Sequence, residues 1–164
     1  IPQPRNIPPS PRSARSKVKS LHRKADEEGD AEAQYSLGTC YALGDGVQMD
    51  KEKAFDYYLM SANQNYKNAL IAVAACYSYG KGTKVNKANA FRYYMQAAEQ
   101  GHPKAEFAIG HFYEYGQGGV EQDHELAKEW YRKAAAQGHK GAKKALRSFS
   151  SEALNFPNDE EEDI

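Results

Sequence analysis

The chain has 164 residues and balances 22 Lys plus Arg against 22 Asp plus Glu. It therefore lacks the global field that draws in nucleic acid or an anionic membrane surface. No stretch approaches the ~18 consecutive apolar residues of a spanning helix, so no membrane insertion is expected. Length allows one domain with short tails. The opening Ile-Pro-Gln-Pro, without Met, suggests a fragment or a processed product, and no leader is visible.

Residues 1–16 are rich in Pro, Arg and Ser without apolar periodicity, and read as a disordered tail. Ser10 precedes Pro11, while Ser13 and Ser16 each follow an Arg. Phosphorylation there would add up to about two negative charges per site beside Arg12 and Arg15. Val18, Leu21, Ala25 and Gly29 match the tail of a helix, so residues 17–29 are expected to form a capping half-repeat.

Three copies of one pattern follow, at about 30–66, 67–102 and 103–139. Ala33, Ala69 and Ala105 are 36 apart, as are Tyr41, Tyr77, Tyr113 and Gly44, Gly80, Gly116. One inserted Gly at Gly118–Gly119 shifts the later marks to 37, so Asn86 answers to Asp123. Self-similarity at such a period means stacked supersecondary units. The first half of each copy carries core marks at helical spacing, as in Ala33, Leu37, Cys40, Tyr41 and Ala105, Ile109, Phe112, Tyr113. Gly38, Ala74 and Gly110 share a slot that lets a neighbouring helix approach. Gly44-x-Gly46, Gly80-x-Gly82 and Gly116-x-Gly118 end the helix, because Gly tolerates the left-handed conformation past helix ends. These glycines do not read as a phosphate cradle, since no strand precedes them and no Lys-Ser/Thr follows. Asp50, Asn86 and Asp123 are placed to cap a second helix. That helix carries Ala54, Tyr57, Tyr58, Ala62, then Ala90, Tyr93, Tyr94, Ala98, then Ala127, Trp130, Tyr131, Ala135. Gly101 and Gly138 stop it, with Asn65 in their place in the first copy, and Pro103 suits the next first turn.

After His139, Ala142, Ala145 and Leu146 fall on core marks, while Lys144 and Arg147 present polar residues. Residues 140–149 therefore read as a C-terminal cap. Residues 150–164 contain the acidic run Asp159–Asp163 and read as a second disordered tail. The domain is thus expected at 17–149, as an all-α solenoid.

Cys40 and Cys76 share the slot that Phe112 fills in the third copy, which argues for small buried apolar residues. A disulfide needs Cα atoms within about 7 Å, whereas packed helix axes lie ~8–10 Å apart. Unpaired thiols fit a reducing, cytoplasmic compartment. His22, His102, His111, His124 and His139 offer no zinc-type pairing. His102 and His139 recur at the repeat junction and read as structural. Glu114 follows His111 by three residues, yet no nucleophile accompanies them, so no catalytic residue, cofactor, metal or small-molecule substrate is assigned. Lys140, Lys143, Lys144 and Arg147 form a basic cluster, but the aromatics fall on core marks and Asp159–Asp163 follows. Nucleic-acid binding is the weaker reading.

The first copy spells a pattern through Ala33, Tyr35, Leu37, Gly38, Tyr41, Gly44, Gly46, Val47, Asp50, Lys53, Ala54, Tyr57 and Ala62. It resembles the Sel-one-like repeat (SLR), the longer-loop relative of the tetratricopeptide repeat, over about residues 30–146. The second copy departs most, with Ile71, Val73, Ala74 and Thr83 at marked positions; the third places Leu126 where Lys stands. The resemblance implies a right-handed α/α superhelix serving as a non-catalytic protein-binding adaptor or scaffold in signalling regulation, here a monomeric module of a longer chain. The alternative it implies is a regulatory subunit or activator of a membrane-associated enzyme, such as a chitin synthase activator or an endoplasmic-reticulum quality-control adaptor.

In related helical repeats the first helices line the concave face. Carried over, that geometry gives a partner-binding set of Tyr35, Thr39, Leu43, Ala75, Ser78, Tyr79, His111, Glu114 and Tyr115. The set suits an extended peptide or an amphipathic helix. Tyr35, Ile71 and Phe107, all apolar at one position, equally read as filler of the seam between repeats, and Leu43, Tyr79 and Tyr115 are open to both readings.

Overall fold

The computed structural model of the protein describes residues 10–154, and their regular structure is entirely helical. The Pro-rich stretch at 1–9 and the acidic run Asp159–Asp163 lie outside the described residues. Helix α1 spans Pro11–His22 and runs into a π turn at Arg23–Glu27. Then come α2 (Ala31–Leu43), α3 (Lys51–Asn63), α4 (Lys67–Tyr79), α5 (Lys87–Glu99), α6 (Pro103–Tyr115), α7 (His124–Ala136) and α8 (Lys140–Leu154). Each sequence copy thus supplies one helix pair, as its periodicity predicts.

The three loops within the copies close in the same way. Gly44, Gly80 and Gly116 take φ of 72°, 67° and 61°, and their N–H groups donate to the carbonyls of Cys40, Cys76 and Phe112. The N–H of Asp50 then donates to Tyr41 O at 2.9 Å, Asn86 to Tyr77 O at 2.8 Å and Asp123 to Tyr113 O at 2.8 Å. The third loop makes this bond across one more residue. Gly118 and Gly119 both take positive φ there, and a Cβ on Gly119 would meet only open space. The capping side chains follow. Asp50 accepts from Lys53 N at 3.0 Å, Asn86 from Asn89 N at 2.9 Å and Asp123 from Leu126 N at 2.9 Å, satisfying donors that a helix start leaves orphaned.

The chain forms two compact units, Ile1–Tyr93 and Tyr94–Ile164, divided within α5. In the first, Val18, Ala25, Ala33, Leu37 and Cys40 make one buried cluster, flanked by Leu21, Tyr41, Val47 and Tyr57. Helices α2 and α3 approach so closely at Gly38 that a Cβ there would lie 2.7 Å from the Tyr58 ring. The free thiols of Cys40 and Cys76 are buried, and burial pushes both pKa values up.

Helix α1 opens at Pro11, inside the segment that composition reads as a tail. Ser10 caps it by accepting from Ser13 N at 3.3 Å, Pro11 occupies the first turn, and Ala14 and Val18 bury one face. A Cβ on Gly46 would lie 2.6 Å from the Ala14 carbonyl oxygen, and one on Gly82 2.0 Å from that of Lys51. Helix α1 therefore stands to the first loop as α3 stands to the second. From those contacts to the next left-handed residue, however, the chain takes 15 steps (Ala14 to Gly29) in one case and 14 (Lys51 to Asn65) in the other. The π turn, with its wider i→i+5 bonding, absorbs the extra residue.

In the second unit, Ala127, Tyr131, Ala134 and Ala142 form the buried centre, with Phe107, Tyr113, Ala145, Leu146 and Phe149 against it. A Cβ on Gly110 would lie 2.6 Å from the Tyr131 ring. Helix α8 continues to Leu154, past the cap boundary expected at 149, while Lys144 and Arg147 are exposed as a terminal cap requires.

Candidate partner-binding site

In the first unit the residues singled out on α2 and α4 separate into packed and exposed sets. The half-buried Tyr35 ring packs against Tyr58 and Tyr66, at 5.6 Å from each, and so fills the seam. Thr39 donates its hydroxyl to Tyr35 O at 3.1 Å and accepts from Tyr58 Oη at 3.3 Å. Ser78, small enough to pack, is buried, and Ala75 is half-buried. Leu43 and Tyr79 differ sharply, at 74% and 69% exposed. A groove of about 350 Å³ has Leu43, Ala42, Ala72, Ala75 and Cys76 among its walls, with Lys51 and Lys81 beside them. The Tyr79 ring lies under two ammonium groups, Lys81 Nζ at 5.6 Å and Lys87 Nζ at 5.7 Å from its centre.

In the second unit His111, Glu114 and Tyr115 lie three and four residues apart, and so share one face of α6. The His111 and Tyr115 rings meet at 4.5 Å, tilted by 45°, and Tyr115 is 55% exposed. Glu114 is half-buried and accepts a short hydrogen bond from the hydroxyl of Tyr131, itself only 1% exposed. Burial first, and this carboxylate second, push the Tyr131 pKa far above the ordinary phenol value. Phe107, the counterpart of Tyr35, packs on Tyr131 at 5.4 Å and on His139 at 4.6 Å, so it too fills a seam. His102 Nδ1 accepts from Lys104 N at 3.3 Å and His139 Nδ1 from Ala142 N at 3.2 Å, which makes both histidines helix caps.

Some polar contacts were not read from the sequence. Tyr41 and Tyr57 stack at 5.8 Å, and their hydroxyls reach the N-terminal segment: Tyr41 Oη lies 3.2 Å from His22 Nε2, and Tyr57 Oη donates to Asp26 Oδ1 at 3.1 Å. His22 Nδ1 lies 2.9 Å from Asp26 Oδ2. Gln64 donates to buried Gln34 and Gln137 to buried Glu106, each at 2.8 Å. The recurrence of Gln64, Gln100 and Gln137 in the three copies was the available signal. Among the described residues, no group of three His, Cys, Asp or Glu is arranged to hold a metal ion, and no helix is long and apolar enough to cross a membrane.

The family model for the Sel1 repeat matches at residues 31–66, 67–102 and 103–139, and the chain belongs to that family. Among solved structures, the chain is similar to a protective antigen of uropathogenic Escherichia coli that displays an SLR fold. That match has a TM-score of 0.80 and 34% identity over 83% of this chain and 29% of that one. The chain thus spans less than a third of that protein. It is also similar to a Sel1 repeat protein from Oxalobacter formigenes, with a TM-score of 0.73 and 37% identity over 80% of this chain and 97% of that one. Cysteine rich protein B of Helicobacter pylori shares the fold, at a TM-score of 0.62 and 21% identity over 82% of this chain and 96% of that one. No curated protein matches the chain. Sel1 repeats generally serve as protein–protein interaction scaffolds, and their fold is typically non-catalytic.

Proposed function

We propose that the chain is a non-catalytic adaptor that docks a peptide or helix of a partner protein on the exposed residues of its first helices, in a reducing, cytoplasmic setting. The observation that carries this reading is the exposure of Leu43, in the wall of the apolar groove of the first unit, and of Tyr79, whose ring lies under the groove residue Lys81. Tyr is among the side chains that most often anchor a protein interface, and Leu43 adds exposed apolar surface to the wall of the groove. The seam position holding Tyr35 is occupied by packing within the repeat, so anchoring falls to the position just before the left-handed glycine.

The test is affinity capture from native lysate with the full chain and with Leu43→Ala/Tyr79→Ala. A captured partner would then be identified, purified and titrated against both proteins. The expected loss is about tenfold or more in affinity, with an unchanged helical spectrum. A partner that binds both proteins equally would overturn the assignment of the face.

A further inference from the structure

Charge is sorted by repeat along this balanced chain. Residues 30–66 hold six Asp or Glu against two Lys, and residues 103–139 hold six against four Lys or Arg. Residues 67–102 invert this, with five Lys or Arg against the single acid Glu99. The inversion falls on the repeat whose α4 forms one wall of the apolar groove of the first unit.

That groove has small walls and a basic rim. Ala42 on α2 and Ala72 and Ala75 on α4 leave the space of about 350 Å³, and Leu43 stands exposed at its edge. Lys51, at the start of α3, and Lys81, in the second loop, also line it; among the described residues no carboxylate does. The two lysines come from segments in contact, since a Cβ on Gly82 would lie 2.0 Å from the Lys51 carbonyl oxygen. An ammonium has three N–H donors, so Lys81 can keep its place over the Tyr79 ring and still donate to a carboxylate. In the third copy the positions of Ala75, Cys76 and Lys81 read His111, Phe112 and Gln117, and in the first Thr39, Cys40 and Asp45. The small wall and the rim cation therefore occur together only in the second. Alanine walls favour a large apolar side chain, and lysines beside them select an acidic neighbour for it. A lipid surface would have to lie against the acidic first repeat as well, whereas a peptide segment need meet only the groove.

We propose that this groove takes an acidic segment of the partner protein, with one large apolar side chain set against Ala42, Ala72 and Ala75 and flanking carboxylates paired with Lys51 and Lys81. This rests on the adaptor reading and names the chemistry that the partner must carry.

The experiment titrates the isotope-labelled full chain with the peptide acetyl-Asp-Glu-Asp-Leu-Phe-Asp-Glu-Asp amide, following amide resonances. One control peptide replaces its acids by Asn and Gln, and a second replaces Leu-Phe by Ser-Ser. Saturable shifts at Ala42, Leu43, Ala72, Ala75 and Lys81 are expected with the acidic apolar peptide. Loss of its apolar pair should weaken binding about tenfold or more. Loss of its acids, or Lys51→Gln/Lys81→Gln in the protein, should weaken it about three- to tenfold. Both lysines are exposed, so their replacement spares the fold. Ala75→Leu, which fills the groove, should weaken the same peptide. No binding, equal binding of the acidic and neutral peptides, a dispensable apolar pair, or indifference to the lysine changes would overturn the proposal. So would binding that rises when Asp159–Asp163 are replaced by Asn and Gln, which would give the groove to the chain's own acidic run. Lysine-dependent binding to phosphatidylserine vesicles, without binding of the peptide, would give it to a membrane. The captured partner separates these failures from that of the adaptor reading. Affinity lost in Leu43→Ala/Tyr79→Ala but kept in Lys51→Gln/Lys81→Gln would leave docking intact and sink the acidic segment. The expected peptide binding, with a captured partner indifferent to both double substitutions, would do the reverse.

Discussion

Where Tyr58 crosses Gly38 and Tyr131 crosses Gly110, the edge of a ring fills the volume that a methyl group would need. Helix propensity alone favours Ala over Gly by ~1 kcal/mol, and the second repeat does place Ala74 in this slot. At Gly110 the ring cannot yield, because its hydroxyl is bound to Glu114 and its body is buried. Overpacking of this kind costs ~1–3 kcal/mol, so Gly110→Ala is expected to lower stability by roughly 1 kcal/mol net in urea unfolding. Tyr57 offers a pH test. Burial and the bond to Asp26 push its pKa from 10.0 up to about 12. A raised folded-state value means that its contribution is complete below pH 10 and is lost as pH rises through about 12. Tyr57→Phe should flatten that part of the stability–pH curve, read by thermal unfolding between those limits.

At the level of the helix and its loop, two glycines that look alike in sequence do different work. Gly82 and Gly101 both take φ near +70°, where a residue with a Cβ such as Ala is strained by about 1–2 kcal/mol. A Cβ at Gly101 meets nothing within 4 Å, whereas one at Gly82 would sit 2.0 Å from the Lys51 carbonyl oxygen. Gly82→Ala should therefore lower the melting temperature clearly more than Gly101→Ala, by calorimetry on the full chain. The helix pairs, their caps and their stops were legible because each depends on local chemistry: apolar residues at helical spacing, Asp or Asn at starts, Gly at ends. The start of α1 was not, because Pro and Ser dominate composition there. Yet Ser10–Pro11 is itself a cap followed by a first-turn proline, and Ala14 and Val18 lie four apart. Which marked residues face out was also hidden. Tyr35 and Phe107 share an apolar slot that reads the same whether it lines a face or fills a seam, and only their ring contacts decide. Ser78 looks like a surface residue until its helix is placed.

For the whole molecule, the unpaired thiols give a simple readout of integrity. Cys40 and Cys76 are buried with raised pKa values, so a thiol reagent should label them more than about tenfold more slowly in the native chain than after denaturation. Labelling at the denatured rate would mean that the helix pairs open readily. The match to only 29% of the E. coli protein shows the same unit placed within a much longer chain.

The loop bond shared by Tyr41 with Asp50, Tyr77 with Asn86 and Tyr113 with Asp123 has one further consequence. Because the third loop closes on the same pair of groups despite its added glycine, a miscount of one residue is cancelled before the next helix begins. The π turn after His22 cancels another in the same manner. Spacing along this chain is thus corrected copy by copy rather than accumulated. A single-residue insertion at either place amounts to a local edit, which changes what one loop displays and leaves its neighbours in phase.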